Sequence, residues 1–571
     1  MHSRQPHPAD GRTTGRGIMV VLLLVSALVC QAQLPFTDVT VQAGIDHQFV
    51  VFEGMFGGGA CVFDLNNDGF EDLYITGGMR DDVLYLNQGD GTFTNIYAQS
   101  GLQLTRHYVT QGVAGADVNR DGWVDLFITT ITSRDSVKLI PREINLLFLN
   151  NGNGTFRDAT REYGLDQLYS FSTGASFGDL DADGFPDLYV GNYFLEYDGT
   201  LSRISDATIV GAHQTARGYL LHNEAGRRFT NVYEQYGLDY RGFGFGAVFT
   251  DFDNDADQDL FVNHDFGYKA TPDYLLQNDY PRAHLYNVAE SMDLDLKINS
   301  MGTAIADINN DGFMDYYMTN IRFNHMMVSR GTGQPFVNEL KARNMNFVSI
   351  SWGANFADFD HDGDVDLFVA NGDLNPNCVP MSNFYFTNTD GIFVENARAA
   401  GVNDYGISRG SVVFDIENDG DLDLLVINQK PVLDYPVASF TRLFRNDSAV
   451  GNWLKVSLAG VQAESHGLGS RIEIVAGGRH MIREIDGGGS SHLSQNSTLA
   501  HFGLGQSATV DSVIVTWTGG KRQVLTHVQA NTLLTVVEAP AQKTGFGWLY
   551  RLLGIALVVV AGYFWARRRN S

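Results

Sequence analysis

Apolar residues in this chain come in short runs, such as "ACVF", "DLYITG", "TAIA" and "DLFVNH", each closed by Gly, Asn, Thr or an acidic turn. Short apolar runs punctuated by turn formers predict β-strands rather than helices. The runs recur as a unit: a Gly, a strand, an acidic turn, then three more strands such as "DLFITT", "LLFLNNGNGTF" and "FRDATREYGL". The unit returns seven times, its acidic turns starting at Asp64, Asp117, Asp179, Asp251, Asp307, Asp358 and Asp415, at spacings of 53, 62, 72, 56, 51 and 57 residues. One four-stranded sheet per repeat and seven repeats predict an all-β, seven-bladed β-propeller over residues 33–447. "FTDVTVQAGI", at Phe36–Ile45, is a fourth-strand sequence with no repeat before it, and the seventh repeat stops after its third strand, "TRLFRND". The N-terminal strand is therefore expected to complete the seventh blade, removing the open edge of a broken ring.

The turns are built for a hard cation. Calcium takes six to eight oxygen ligands. Each nine-residue turn offers side-chain oxygens at positions 1, 3, 5 and 9 and a carbonyl at 7. These sets are Asp64, Asn66, Asp68, Asp72; Asp117, Asn119, Asp121, Asp125; Asp179, Asp181, Asp183, Asp187; and Asp251, Asp253, Asp255, Asp259. The last three are Asp307, Asn309, Asp311, Asp315; Asp358, Asp360, Asp362, Asp366; and Asp415, Glu417, Asp419, Asp423. Gly at position 6 permits the turn, except in the fourth copy, where Ala256 leaves the geometry open. An EF-hand would need Glu at position 12, but Ile75, Ile128 and Val190 stand there, inside strands. Asp-rich turns held only by hydrogen bonds to their own backbone are the alternative. Charge favours the metal: the seven turns hold 29 of the 66 acidic residues. Carboxylates packed that closely repel unless a cation sits among them. Up to seven Ca²⁺ are expected, which would take the net charge from −27 to −13. The acidity also excludes nucleic acid as a partner.

Beyond Asn452 the acidic turns cease. Alternating strands "WLKVSL", "RIEIVA", "MIREI", "SVIVTW" and "LLTVVE" predict a small β-sandwich or barrel over 452–538. Both ends read as targeting segments. Arginines followed by "IMVVLLLVSALVC" predict a signal peptide over 1–32. After a linker at 539–547, an apolar stretch at 548–566 predicts a membrane helix, and Arg567, Arg568 and Arg569 place the tail 567–571 in the cytoplasm. The bulk of the chain is then extracytoplasmic, held by a single C-terminal helix. Cys61 and Cys378 are too isolated to be a disulfide framework.

The repeats "GFGAVFTDFDNDADQDLFV" and "GASFGDLDADGFPDLYVGN" resemble the FG-GAP or VCBS family, as in integrin alpha-chain propellers, from about Phe36 to Asp447. "GLGSRIEI", "GGGSSHLSQNS", "HFGLG" and "VTWTGGKRQ" resemble the ASPIC/UnbV domain, with Thr518 in place of the usual Pro. The first resemblance implies that calcium is structural and that ligands meet the face opposite the calcium loops.

On that face the connections preceding each blade carry Arg106, His107, Tyr240, Arg241, Lys297, Trp352 and Arg409. Cations and aromatics there suit glycans, carboxylates or peptide side chains. Long insertions at Thr130–Asn145 and Gly191–Gly218 are expected near them. Gly467, Gly469 and Gly487–Gly489 lack the context of a phosphate loop and read as sheet turns. Ser490, His492 and His501 lack a nucleophile elbow and read as packing. The leading expectation is a non-enzymatic, membrane-tethered recognition or adhesion protein with an extracellular or periplasmic protein or glycan as partner. The alternative is a polysaccharide-acting enzyme with its site at the propeller mouth.

Overall fold

The computed structural model describes residues 35–50, 57–135, 141–195, 214–374, 378–447 and 450–540. The predicted signal peptide and membrane helix lie outside them. Among the described residues no helix is long and apolar enough to cross a membrane. The fold is all-β, and the one α-helix there is the four-residue turn Ala397–Ala400.

Seven sheets of the expected kind are present, each with one acidic loop between its first and second strands. Sheet one is Ala60–Phe63, Asp72–Ile75, Val83–Asn87 and Phe93–Asn95, paired antiparallel in chain order. Sheet seven takes Ser408–Phe414, Asp423–Asn428 and Arg442–Asn446 from its own repeat. Its fourth strand is the N-terminal Phe36–Asp38, with Phe36 opposite Asn446 and Asp38 opposite Phe444. The closing strand is where the repeat pattern places it.

First strands of sheets one to four pack side by side, as do those of sheets five to seven and of sheet seven against sheet one. The Gly before each loop makes this possible. A Cβ on Gly112 would lie 2.7 Å from the Thr173 carbonyl, and one on Gly353 would lie 2.8 Å from that of Arg409. A second link runs further out. The Asn that ends the third strand donates its amide to the preceding sheet's loop: Asn87 to Ile416 O at 2.9 Å, Asn150 to Leu65 O at 3.0 Å, Asn223 to Val118 O at 2.9 Å and Asn446 to Phe359 O at 2.7 Å. Sheet five has Ser329 at that place.

The C-terminal domain is two-layered. Ala500–Gly505, Asn452–Ala459 and Thr532–Val537 form one sheet, and Arg479–Glu484, Arg471–Ala476, Thr509–Thr516 and Arg522–Gln529 form the other. Leu454, Val456, Phe502, Ile472, Ile474, Val513, Val515 and Trp517 fill its core, which is continuous with that of sheets two and three. Its glycine-rich segment 487–496 leaves the domain and enters the ring of first strands. Phe177 N donates to Gly487 O at 2.9 Å, Val113 N to Leu493 O at 3.2 Å and Val62 N to Gln495 O at 3.2 Å. His492 Nδ1 lies 2.6 Å from Met301 O, and Val413 N donates to Asn496 Oδ1 at 3.0 Å. Innermost strands have an edge with no neighbouring strand, and this segment pairs part of it. It is more than the sheet turn expected from its glycines.

Candidate functional site: the acidic loops and the opposite face

Six of the seven loops share one hydrogen-bond scheme, and the loop at Asp358 keeps part of it. The position 1 carboxylate accepts backbone N–H groups from positions 5 and 6; Asp64 takes Asp68 N at 3.1 Å and Gly69 N at 2.8 Å. Asp117, Asp179, Asp307 and Asp415 repeat both bonds, and Asp358 repeats the second. Position 5 accepts from position 7, as Asp121 does from Trp123 N at 3.0 Å. Position 9 opens the second strand in every copy and is buried. Its carboxylate joins the loop to the third strand: Asp125 accepts Val118 N at 3.0 Å and Asn150 N at 2.8 Å. The fourth loop keeps the scheme, because Ala256 takes the left-handed conformation at φ 72° and donates to Asp251 at 3.0 Å. That conformation costs a non-glycine residue about 1 kcal/mol.

The donor set fits a divalent cation. Ligand atoms of Asp179, Asp181 and Asp183 lie within 4.8 Å of one another, as do those of Asp251, Asp253 and Asp255, and of Asp358, Asp360 and Asp362. Asp358 is only 1% exposed, yet its Oδ1 has no hydrogen-bond partner; Oδ1 of Asp253 and Oε2 of Glu417 are likewise shut off and unpartnered. A buried carboxylate oxygen without a donor is costly unless a cation supplies the interaction. Burial, with neighbouring carboxylates adding to it, pushes Asp72 and Asp358 up to about 7 and Asp251 up to about 6. In the third loop Asp187 is pushed up to about 6, mainly by burial, and His222, hydrogen-bonded to it at 2.9 Å, is pushed up to about 9.

The C-terminal domain sits directly on these loops. Lys455 Nζ reaches Asp415 Oδ2 at 2.7 Å and Asn418 Oδ1 at 2.8 Å, with the Lys455 and Asp415 side chains 3% and 2% exposed. Arg471 bonds Asn254 and, at 2.7 Å, Gly312 O. Arg479 bonds Asp362 O at 2.9 Å and Asp364 at 3.2 Å. From the other side, Arg120 of loop two donates to Val461 O at 2.9 Å and Gln462 O at 3.1 Å. Basic side chains of one domain thus meet the acidic face of the other.

Family comparisons agree with this division. A model described as FG-GAP-like repeat matches residues 64–128, 131–190, 307–369 and 358–426, and one described as ASPIC and UnbV matches 460–543. This chain is an FG-GAP-like repeat protein with a C-terminal ASPIC/UnbV domain. Its relatives include proteins named cartilage acidic protein 1. The one from Xenopus tropicalis is 24% identical over 81% of this chain and 70% of the relative. The one from Homo sapiens is 24% identical over 84% and 71%. Among solved structures, an Agrocybe aegerita lectin that recognises non-reducing terminal N-acetylglucosamine superposes with a TM-score of 0.40 and 16% identity, over 68% of this chain and 94% of the lectin. At that score the likeness bears on neither fold nor function.

The ASPIC/UnbV segment that plugs the ring holds Ser490 and His492 out of solvent. Ser490, His492 and His501 are all buried. His492 packs on Trp352 and Phe245, at ring-centroid distances of 5.0 and 5.5 Å. His501 Nε2 lies 2.9 Å from Gly420 O, beside the seventh loop.

The expected ligand rim needs correction. Trp352 and Arg409 are buried within first strands, not in connections. Each stands immediately before the channel Gly, so its side chain turns into the ring. The Arg409 guanidinium lies 4.2 Å over Trp352 and donates to Gly372 O, Ser408 O and Asp373 O at 2.9–3.2 Å. Burial lowers its pKa to about 10. Tyr240 is half-buried in a seam, 4.2 Å from the Tyr274 ring, with its hydroxyl shut off from solvent. Arg106, His107, Arg241 and Lys297 are exposed as expected; Arg106 pairs with Asp81 at 3.0 Å and Lys297 with Asp295 at 3.2 Å. The insertions are described only in part, since 136–140 and 196–213 lie outside the described residues. Tyr169 and Tyr405, expected on this face from the sequence, are exposed there in two-residue strands. Sequence reading missed several large exposed apolar side chains on this face: Tyr268, Phe323, Phe347 and Phe440 lie in connections at the strand ends away from the acidic loops and are exposed. It also missed the third-strand Asn link, although an Asn stands there in six of the seven repeats. Cys61 and Cys378 are buried and form no disulfide.

Proposed function

We propose that this protein is a calcium-stabilised, extracytoplasmic recognition protein, a seven-bladed propeller that binds a protein or glycan ligand on the face opposite its acidic loops. The observation that carries the reading is the placement of the ASPIC/UnbV domain. It covers the acidic loops and plugs the ring from their side. The opposite face, with its exposed aromatics and the exposed cations Arg106, His107, Arg241 and Lys297, stays open to a partner. Exposed aromatic side chains clustered with cations mark interaction surfaces.

Calcium is scaffolding in this reading. In the loops that take it, positions 1, 3, 5 and 9 and the carbonyl at 7 would hold it, joining the first two strands of the sheet. Export and tethering follow from the apolar segments at 1–32 and 548–566, and the secreted character fits a surface partner.

A glycan and surface-protein array screened with the full chain in calcium tests the proposal, with an Arg241→Ala, Tyr268→Ala variant beside it. A hit that weakens at least tenfold in the variant supports recognition on the open face. A hit that the variant retains, but that a C-terminal-domain variant such as Val524→Asp loses, moves the site to the ASPIC/UnbV domain.

A further inference from the structure

The seven loops are not equivalent. The residue just before the end of the third strand differs in step with position 3 of the loop. Where position 3 is Asn66, Asn119 or Asn309, that residue is Leu86, Leu149 or Val328. Where position 3 is acidic, it is polar and faces the acid: Gln277 donates to Asp253 at 2.7 Å, Arg445 lies 3.6 Å from Glu417, and His222 lies 3.8 Å from Asp181. Loop six pairs Asp360 with Thr387 in sequence. Gln277 and Arg445 present N–H donors to a carboxylate, and neither nitrogen ligates a metal. His222 does present a ligating nitrogen.

We infer that the third loop is a mixed nitrogen and oxygen site for a first-row transition ion of the Zn²⁺ or Co²⁺ class, held by His222, Asp181 and Asp187, while the other loops take calcium. The three ligand atoms lie within 4.8 Å of one another, and His222 Nδ1 is 2.9 Å from Asp187 Oδ1 and 3.8 Å from Asp181 Oδ2. Ligands at about 2.0–2.2 Å from a tetrahedral zinc sit about 3.3–3.6 Å apart, a spacing that the 2.9 and 3.8 Å separations bracket, so little movement is needed. Asp187 is fixed by Leu180 N at 3.1 Å and Asn223 N at 2.8 Å, so it is preorganised. Oδ1 of Asp181 is shut off from solvent and has no hydrogen-bond partner, an acceptor that the protein itself leaves unsatisfied. Imidazole favours transition ions, whereas calcium selects all-oxygen sets.

The inference rests on reading these loops as cation sites, so the test counts both metals in one sample. The full chain is stripped of metal, saturated with Ca²⁺, offered Co²⁺ at an amount equal to the protein and desalted. Calcium is then counted, and cobalt is counted and read by its visible absorption. We expect about one Co²⁺ per chain, retained in calcium excess, with absorption bands of nitrogen and oxygen ligation. His222→Leu, which restores the aliphatic residue of loops one and two, should lose the cobalt at least tenfold and keep the calcium of the other loops. Gln277→His, in loop four, should gain a second cobalt. Calcium bound without cobalt in the parent protein, or cobalt held equally by His222→Leu, overturns the inference. Neither metal bound overturns it together with the calcium reading.

Discussion

The two faces of the ring are made differently. On the acidic face six of the seven loops follow one rule, down to which backbone N–H meets which carboxylate oxygen, and the loop at Asp358 keeps part of it. On the opposite face the connections differ in length and residue type from sheet to sheet. The chain's own C-terminal domain sits on the regular face, and among the described residues no domain sits on the irregular one. On the calcium reading proposed above, a repeated geometry serves a repeated structural task, holding strands together around a cation. A particular ligand needs a particular surface, which repetition would not provide.

The largest test of this contrast is calcium removal. Ligand bound at a hundredfold excess over Kd stabilises by about 2.7 kcal/mol per site, and several sites are lost at once, though not additively. Excess EGTA should lower the melting temperature by well over ten degrees and expose the joint between the domains to protease. An unchanged melt would leave the loops as hydrogen-bonded turns and remove the structural task from the acidic face.

The second test is the buried pair across the joint. In the metal-free protein Lys455→Met leaves Asp415 buried without its counter-charge, and breaking such a pair from one side costs about 3–5 kcal/mol. A drop in melting temperature is expected, partly recovered by adding Asp415→Asn. Equal melts for parent and variant would show that the domains part in solution.

A third effect is smaller and has a definite sign. Without metal, Asp187 and Asp251 are pushed up to about 6 and Asp72 and Asp358 up to about 7. A carboxyl raised above its unfolded value near 3.9 binds its proton more tightly in the folded state. The metal-free protein should therefore lose stability as pH rises from about 4 to about 7. Calcium, which holds the same groups ionised, should flatten or reverse that slope. A calcium-loaded protein with the metal-free slope would show that the ion lies elsewhere.

Sequence alone carried the acidic face well. Spacing, the preceding Gly and the Asp at position 9 foretold the loops, the sheets and even the closing strand Phe36–Asp38. These are local consequences of short-range chemistry. The docking of 452–538 onto the loops was not legible. Lys455, Arg471 and Arg479 are ordinary basic residues on alternating strands until the fold brings them against Asp415, Asn254 and Asp364. The rim failed at Trp352 and Arg409 for a related reason. Both lie one residue before a channel Gly, and whether that position faces the lumen or the solvent is set by the closed ring, not by neighbours in sequence. Arg106, His107, Arg241 and Lys297 were placed correctly because they stand outside the strands.

The smallest expected effect in stability decides most about function. Arg241→Ala and Tyr268→Ala remove exposed groups from the open face, and surface changes of this kind shift stability by about 0.5 kcal/mol or less. Their melting temperature, calcium content and pH slope should match the parent. Arg409→Ala is the instructive opposite. Its guanidinium is buried, stacked on Trp352 and bonded to three carbonyls, so its loss strips those acceptors of their donor and opens a cavity. It should destabilise the ring by about 2–4 kcal/mol. Loss of ligand binding in Arg409→Ala alone, with Arg241→Ala and Tyr268→Ala unaffected, would mean that the ligand reads the ring's integrity and not its open face. The reverse, binding lost in the stable pair and kept by Arg409→Ala below its melting temperature, places recognition on the irregular surface and leaves the regular one to hold it.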